Sequence, residues 1–367
     1  MKGKQLRKAV MLGMAMSMAL WTTGMAAETQ EIGSITGTHN ETYSNPITVK
    51  NDVATESAIQ VSGESVEIHT SESAEGEEAN NIILDSQGSG IRTEDGDNTT
   101  SVLLESSANN EIKFGNGGNG IFSESGMDIT LDAAGNNIIT TSYTDVGDGD
   151  GGDGINATSS GKITLTAGGS NIIKVISDGI YTEEGSSKDK ELIAETGNNE
   201  ITADNNGIDH RGSGNINLKA ENGSNIITAE NGDGIRVNGS GNVTLESQSN
   251  QITAGDNGIQ VNGVGNVSVI GMTNSITGTH AGIEVVQGNV KLDDNAVATP
   301  IEGSNVSILS QSDSASYGIY LHGIEGNNGE PDEIGHANTD ITADYVKISA
   351  TGKTVLLLQP LWGYYQN

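Results

Sequence analysis

Residues 256–279 read DNGIQVNGVGNVSVIGMTNSITGT and contain three short apolar runs separated by turn residues. The runs are Gly258-Ile259-Gln260-Val261, Asn266-Val267-Ser268-Val269 and Asn274-Ser275-Ile276. Within each run aliphatic and polar residues alternate, which is the period of a half-buried strand. Gly, Asn and Thr between the runs favour turns. Three short strands in so compact a stretch predict one coil of a three-sided parallel β-helix.

The same unit recurs through most of the chain. Gly-Ile pairs begin at residues 90, 120, 154, 179, 207, 234, 258, 282 and 318. The closest pairs, those at 234, 258 and 282, define the minimal coil, so the longer intervals hold inserted loops. An alternating triplet follows in most intervals, at 129–131, 163–165, 216–218, 243–245, 267–269 and 290–292. We therefore predict an all-β fold, a right-handed parallel β-helix of about ten three-strand coils, because parallel crossovers are overwhelmingly right-handed.

A third motif, Asn-x-Ile, begins at residues 81, 110, 137, 171, 199, 225, 250 and 274. Strand alternation places its Asn on the same inner face as its Ile. Stacked in register, such amides can hydrogen-bond to one another and avoid the cost of an unpaired buried amide. The alternative is an exposed Asn that only forms the turn at a corner.

The composition narrows the possible functions. The 367 residues carry a net charge of −32, so we expect no nucleic-acid partner, since an acidic surface repels phosphate. There is no Cys, which excludes thiol catalysis and cysteine-ligated metal centres. The 51 Gly and the low content of aromatic residues suit a thin repeated core better than a rounded one.

The two ends differ from the repeated body. Residues 1–27 have the basic start, apolar middle and small-residue end of a secretory signal peptide, and they predict export. Residues 28–80 are predicted to be an N-terminal cap and irregular lead-in, and 81–350 the β-helix. Residues 351–367 form an apolar and aromatic tail containing Trp362 and Tyr364. Two interpretations of the tail stay open: a truncation end, or a plug of the last coil.

One segment suggests a metal. Residues 147–154 read GDGDGGDG, which partly matches the Gly- and Asp-rich calcium repeat of β-rolls. Asp148, Asp150 and Asp153 are therefore candidate calcium ligands. That repeat works in tandem and occurs here once, so an acidic loop without a metal is the alternative. No other cofactor is predicted.

No catalytic residue stands out in the sequence. Enzymes on β-helix scaffolds need clustered carboxylates, with basic and aromatic residues to hold sugars. The adjacent pair Asp293-Asp294 ends a strand, where a turn favours Asp. His210, between Asp209 and Arg211, is expected in a solvent-exposed turn, and Arg211 and Arg236 at outward or turn positions. We predict a protein that is not an enzyme, and a polysaccharide lyase or hydrolase is the alternative.

The signal peptide, the cysteine-free acidic body and the Gly-Ile, Val-x-Leu and Asn-x-Ile coils of residues 28–350 together resemble the passenger region of Gram-negative autotransporters and related β-helical adhesins. The resemblance implies secretion through an outer-membrane translocator barrel, cell-surface or extracellular location, and a role in attachment or aggregation. The partners would be proteins or glycans of host or bacterial cell surfaces, contacted through outward side chains and loops near 141–153, 181–190 and 320–340. The C-terminal barrel of that family has no counterpart in this sequence, which leaves anchoring open.

Overall fold

A computed structural model shows an all-β chain in which the described strands pair in parallel and stack as a β-helix. The predicted fold is confirmed. The structure describes residues 29–53, 56–71, 80–96, 99–115, 117–141, 152–293, 305–310, 317–322, 337–341, 345–350 and 354–359. The predicted signal peptide lies outside them. Among these residues no helix is long and apolar enough to cross a membrane.

The coil has three faces. The first, called the short-strand face, is a separate sheet that has eleven strands in the described part of the chain, one from each coil. Its strands begin with the Ile of the Gly-Ile motif in most coils. They are β4 (Ile59–Ser62), β7 (Ile91–Glu94), β10 (Ile121–Ser123), β13 (Ile155–Ala157), β16 (Ile180–Thr182), β19 (Ile208–His210), β21 (Ile235–Val237), β23 (Ile259–Val261), β26 (Ala281–Val285), β29 (Tyr317–His322) and β32 (Thr354–Gln359).

The second face, called the triplet face, carries the alternating triplets. Its strands are β2 (His39–Tyr43), β5 (Val66–Thr70), β8 (Ser101–Ser106), β11 (Asp128–Ala133), β14 (Ile163–Ala167), β17 (Lys190–Ala194), β24 (Asn266–Ile270), β27 (Gly288–Asp293) and β30 (Ala337–Ile341). The first parts of two long strands, β20 (Ile216–Ala229) and β22 (Val243–Ala254), belong to the same face.

The third face, called the amide face, carries the Asn-x-Ile motifs. Its strands are β1 (Gln30–Gly33), β3 (Ile47–Asn51), β6 (Ile82–Ser86), β9 (Asn110–Phe114), β12 (Asn137–Thr141), β15 (Asn171–Val175), β18 (Asn199–Ala203), β25 (Thr273–Gly278), β28 (Asn305–Ser310) and β31 (Tyr345–Ala350). The second parts of β20 and β22 complete it, because both strands continue around the corner from the triplet face.

The aliphatic residues of all three faces meet in one core inside the tube. Ile201, Ile227 and Ile252 occupy equivalent positions of successive coils and are buried, as the period predicted. Residues between the buried positions point outward, so the alternation of the sequence is the alternation of inside and outside. The core therefore grows by one thin layer per coil, which is why few aromatic residues suffice.

The Asn of the Asn-x-Ile motif lies inside the tube and forms a continuous amide ladder. In each step the Nδ2 of one Asn donates to the Oδ1 of the next over 2.8–2.9 Å, through Asn110, Asn137, Asn171, Asn199, Asn225, Asn250 and Asn274. All seven side chains are buried. The inward interpretation is confirmed and the exposed turn is wrong for these seven.

The first of the predicted Asn-x-Ile motifs, at Asn81, is wrong. Asn81 does not belong to the ladder, because Ile82 pairs with Asn110 and the predicted motif is shifted by one residue. Ile82 is buried and Ile83 points outward. The Oδ1 of Asn110 accordingly has no hydrogen-bond partner among the described residues, since an aliphatic side chain lies beneath it.

The predicted boundaries of the β-helix also need correction. Regular parallel strands are already present from Gln30, so the segment predicted as an irregular lead-in contains β1 to β5. Ile47, Val49 and Ile68 of this segment are fully buried in the common core. At the other end, β32 pairs with β29 and continues the short-strand face into the predicted tail. Residues 360–367, with Trp362 and Tyr364, lie outside the described part.

Candidate functional site

The outward row of the short-strand face is the candidate site. In most short strands the residue that follows the inward Ile, here called the second residue, lies outward between two buried residues. Asp209 and Glu284 occupy the same position but are themselves buried. Because the strands stack in register, the second residues form one row along the rod: Gln60, Arg92, Phe122, Asn156, Tyr181, Asp209, Arg236, Gln260, Glu284 and Tyr320. Neighbours in this row are about 4.8 Å apart.

Arginine and aromatic side chains stack on each other within this row. The guanidinium of Arg92 lies 5.3 Å from the centre of the Phe122 ring. Its Nε also contacts Glu94 at 2.9 Å and Glu124 at 2.8 Å. The two glutamates hold the guanidinium plane over the ring, an arrangement that combines cation–π attraction with charge-assisted hydrogen bonds.

A second stack lies further along the same face. Arg211 covers the Tyr181 ring at 5.0 Å, and its Nη2 donates to Asp209 Oδ2 over 2.7 Å. The hydrogen bond to Asp209 raises the pKa of Arg211 above its ordinary value. Asn238 Nδ2 also donates to Asp209, over 3.4 Å. Together they form a fixed patch of planar groups suited to hydroxyl, amide or carboxylate partners.

A second polar ladder borders the row, at the residue before each Gly-Ile pair. Its side-chain oxygens accept the backbone N–H of the equivalent residue in the next coil, over 2.8–3.0 Å. The members are Asn119, Asp153, Asp178, Asn206, Asp233 and Asn257. Burial raises the pKa of Asp178 and of Asp233 to about 6 in each case. Three of the six members are thus aspartates and three are asparagines, and the two side chains fill the same place in the ladder.

Of the three candidate calcium ligands, Asp148 and Asp150 lie outside the described residues. Asp153 is buried in the polar ladder, where its Oδ1 accepts from Asp178 N and its Oδ2 from Asn156 Nδ2. Burial raises its pKa. The described residues include no cluster of three acidic or histidine side chains placed to hold a metal. Both oxygens of Asp153 thus have protein partners, and the calcium site of the loop stays a prediction.

His210 does not lie in an exposed turn, and that expectation was wrong. It occupies the inward third position of β19, is 1% exposed, and its Nδ1 shares a hydrogen bond of 2.7 Å with Thr182 Oγ1. Burial, with Lys190 nearby, lowers its pKa to about 4. The equivalent residue two coils further on is Val261, so a neutral imidazole takes an aliphatic position.

Lys190 is a buried charge that the sequence analysis did not detect. It pairs with Ile163 below and Ile216 above, and its Nζ donates to the carbonyl oxygens of Gly161 and Lys188, each over 2.8 Å. Burial lowers its pKa to about 8. An alignment of Lys190-Glu191-Leu192 with the neighbouring triplets would have predicted this burial, because it places the Lys in the row of inward aliphatic residues.

Replacing Lys190 with isoleucine is expected to stabilise the protein by about 2 kcal/mol at pH 7, since Ile already fills this position in the adjacent coils. The wild-type Lys has a folded pKa of about 8, below the unfolded value of about 10.4. Charge burial therefore destabilises the fold below pH 8, and this penalty fades as the pH rises towards 10. The measurement is urea unfolding of both proteins between pH 7 and 10. A constant difference between them over that range would contradict the assignment.

The other residues that the sequence singled out lie at outward positions or at a strand end. Arg211 and Arg236 are outward, with side chains 44% and 38% exposed. Asp293 is buried at the end of β27 with Lys291 Nζ at 2.6 Å, and Asp294 lies outside the described part. Of the loops predicted to recognise partners, 183–189 is described, and it packs on the next coil through Ser186 O. Residues 142–151 and 323–336 lie outside.

Comparison with known proteins identifies no relative. No protein-family model, curated protein or solved structure matches this chain.

Proposed function

We propose that this chain is an exported, cell-surface or secreted attachment or aggregation protein of the autotransporter-passenger type, reaching the surface through an outer-membrane translocator. It binds protein or glycan on host or bacterial cells through the short-strand face. The observation that supports the proposal is that residue types typical of binding interfaces lie together on one face of the β-helix. All three arginines after residue 27, Arg92, Arg211 and Arg236, lie on this one of three faces. Tyr and Arg are the residues on which binding interfaces most depend.

The aromatic residues support the same face. Among the aromatic side chains that the structure describes, Tyr43 and Phe114 are buried, whereas Phe122, Tyr181 and Tyr320 lie in the outward row. The strands fix these groups at regular intervals, so little conformational entropy is lost when a partner binds. A rigid row of this kind suits a long partner that lies along the rod.

The test is binding of the labelled full-length protein to cultured epithelial cells and to bacterial cells, measured by flow cytometry. The combined variant Tyr181→Ala, Arg211→Ala and Arg236→Ala should bind at least about tenfold more weakly, the effect of losing about 1.4 kcal/mol or more. A matched control, Thr164→Ala, Thr244→Ala and Lys219→Ala, alters outward residues of the triplet face. Equal binding by the two variants, or no binding of wild type to either cell type, would refute the proposal.

A second candidate function is polysaccharide cleavage, because carboxylates of neighbouring coils meet on the same face. Asp153, Asp178 and Asp233 border the row, and Asp209 lies within it beside Arg211. Their oxygens already accept protein hydrogen bonds, which favours attachment over catalysis. Incubation with polyuronates and calcium distinguishes the two. Growth of ultraviolet absorbance from unsaturated products, abolished by Asp209→Asn, would establish the lyase.

A further inference from the structure

The amide face carries an outward surface that the proposed binding site does not use. Its first outward row contains partly exposed isoleucines, Ile83, Ile138, Ile172 and Ile226, on strands of that face. A second outward row, two positions further along each strand, is mainly threonine: Thr140, Thr202, Thr228, Thr253 and Thr277. Both rows run along the rod, so the surface is long, regular and only moderately polar.

This surface is electrically neutral on a strongly acidic protein. From Thr48 to Thr277 the two rows contain three lysines and three acids: Lys50, Lys113, Lys174, Asp85, Glu111 and Glu200. From Asn40 to Lys291 the corresponding rows of the triplet face contain two lysines against five acids: Lys219, Lys291, Glu67, Glu105, Asp132, Glu191 and Glu246. A sixth acid, Asp293, is buried against Lys291. On a chain of net charge −32, two copies therefore repel less when their amide faces meet than when their triplet faces meet.

We propose that the amide face is an interface with a second copy of this chain. Two copies of one sheet have the same row spacing of about 4.8 Å, so side chains of one can fit between those of the other over the full length. The isoleucines supply apolar contact, and the threonine methyl groups extend it. A polyanion fits less well, because it gains nothing from a neutral face and is repelled by a chain of net charge −32.

The surface is large enough for weak specific association. Nine strands at about 4.8 Å, each about five residues of about 3.3 Å wide, give roughly 700 Å² per copy. Two copies together would bury about 1400 Å², in the lower part of the range of stable interfaces, so association in the micromolar range is expected. Many copies displayed on neighbouring cells would multiply this weak contact. The inference deepens the aggregation role proposed above, on which it rests, but concerns a different face from the cell-binding row.

Sedimentation velocity of the full-length protein, from micromolar to several hundred micromolar, tests the interface. Wild type should pass from monomer to dimer over this range. The combined variant Ile138→Asp, Ile172→Asp and Ile226→Asp should associate at least about tenfold more weakly, because it places three like charges in each half of the contact. The matched control Thr130→Asp, Thr164→Asp and Asn217→Asp adds the same charge to the same coils on the triplet face and should dimerise like wild type.

Three outcomes would overturn the interface: a monomeric wild type, an unaffected Ile→Asp variant, or equal weakening by both triple variants. Circular dichroism and thermal unfolding must first show that the variants are folded. The milder set Ile138→Thr, Ile172→Thr and Ile226→Thr preserves the β-branched shape and should weaken association by a smaller factor. Binding of the Ile variants to cultured epithelial cells, which do not carry this protein, should match that of wild type. Loss of dimerisation alone thus concerns this interface, and loss of cell binding alone concerns the short-strand face.

Discussion

Replacing Asn199 with alanine should lower the free energy of unfolding by about 3 kcal/mol, because it breaks the amide ladder in the middle. Asn199 accepts from Asn171 Nδ2 and donates to Asn225 Oδ1, each over 2.8 Å. Its Nδ2 also donates to Leu192 O over 3.3 Å. The truncation leaves two neighbouring buried amides without these partners and creates a cavity as well. Urea-induced unfolding followed by circular dichroism measures the change.

Asn222→Ala is the matched control for this experiment. Asn222 lies on the exposed bend of the adjacent coil, and its Nδ2 donates only to Glu195 O over 2.8 Å among the described contacts. Its replacement should change stability by no more than about 0.5 kcal/mol. Similar losses in both variants would mean that Asn199 contributes no more than a surface turn residue does, contrary to the ladder.

Gly207→Ala should destabilise the protein by at least about 3 kcal/mol, for a steric reason. A Cβ added at Gly207 would overlap Ile227 Cγ2 and lie 2.6 Å from the carbonyl oxygen of Gly234. The second obstacle is backbone of the next coil, so relief requires the coils to separate. The same contact recurs at Gly154 with Ile173 and at Gly179 with Ile201. The Gly of the Gly-Ile motif is therefore required by close stacking.

Gly33→Ala provides the comparison, because nothing lies within 4 Å of a Cβ at Gly33. Thermal unfolding of the two variants should differ by several degrees or more, with Gly33→Ala close to wild type. If Gly207→Ala unfolded at the wild-type temperature, the coils would not be stacked as tightly as the structure has them.

The repeated part of this fold could be predicted from the sequence because each coil repeats the same physical constraints. Alternation in Ile163-Thr164-Leu165 fixes the strand face, and the recurring Asn and Ile fix the register. Prediction failed where the period was weak. At Asn81 the motif shifted by one residue, since Ile82 fits the inner position equally well. In residues 28–80 degenerate coils lacked the Gly-Ile and Asn-x-Ile signals.

The candidate site was less predictable than the fold. Tyr181 and Arg211 are distant in the sequence and contact each other only because one coil stacks on the next. The position that follows Gly-Ile could be predicted to face outward. The residue type at that position varies from coil to coil, so no motif marks the site. Lys190 and His210 were obscured for the opposite reason, since polar residues usually lie outside.

The most direct test of the stacked tube is one distance between Thr130 and Ser268. These outward residues of the triplet face are linked by successive register pairs through Thr164, Glu191, Asn217 and Thr244, which makes five coil spacings. The chain has no Cys, so Thr130→Cys and Ser268→Cys can carry spin labels without background. Double electron–electron resonance should give a narrow distribution centred at about 24 Å, five spacings of about 4.8 Å. A broad distribution or a centre beyond about 40 Å would contradict the stacking of these coils in one tube.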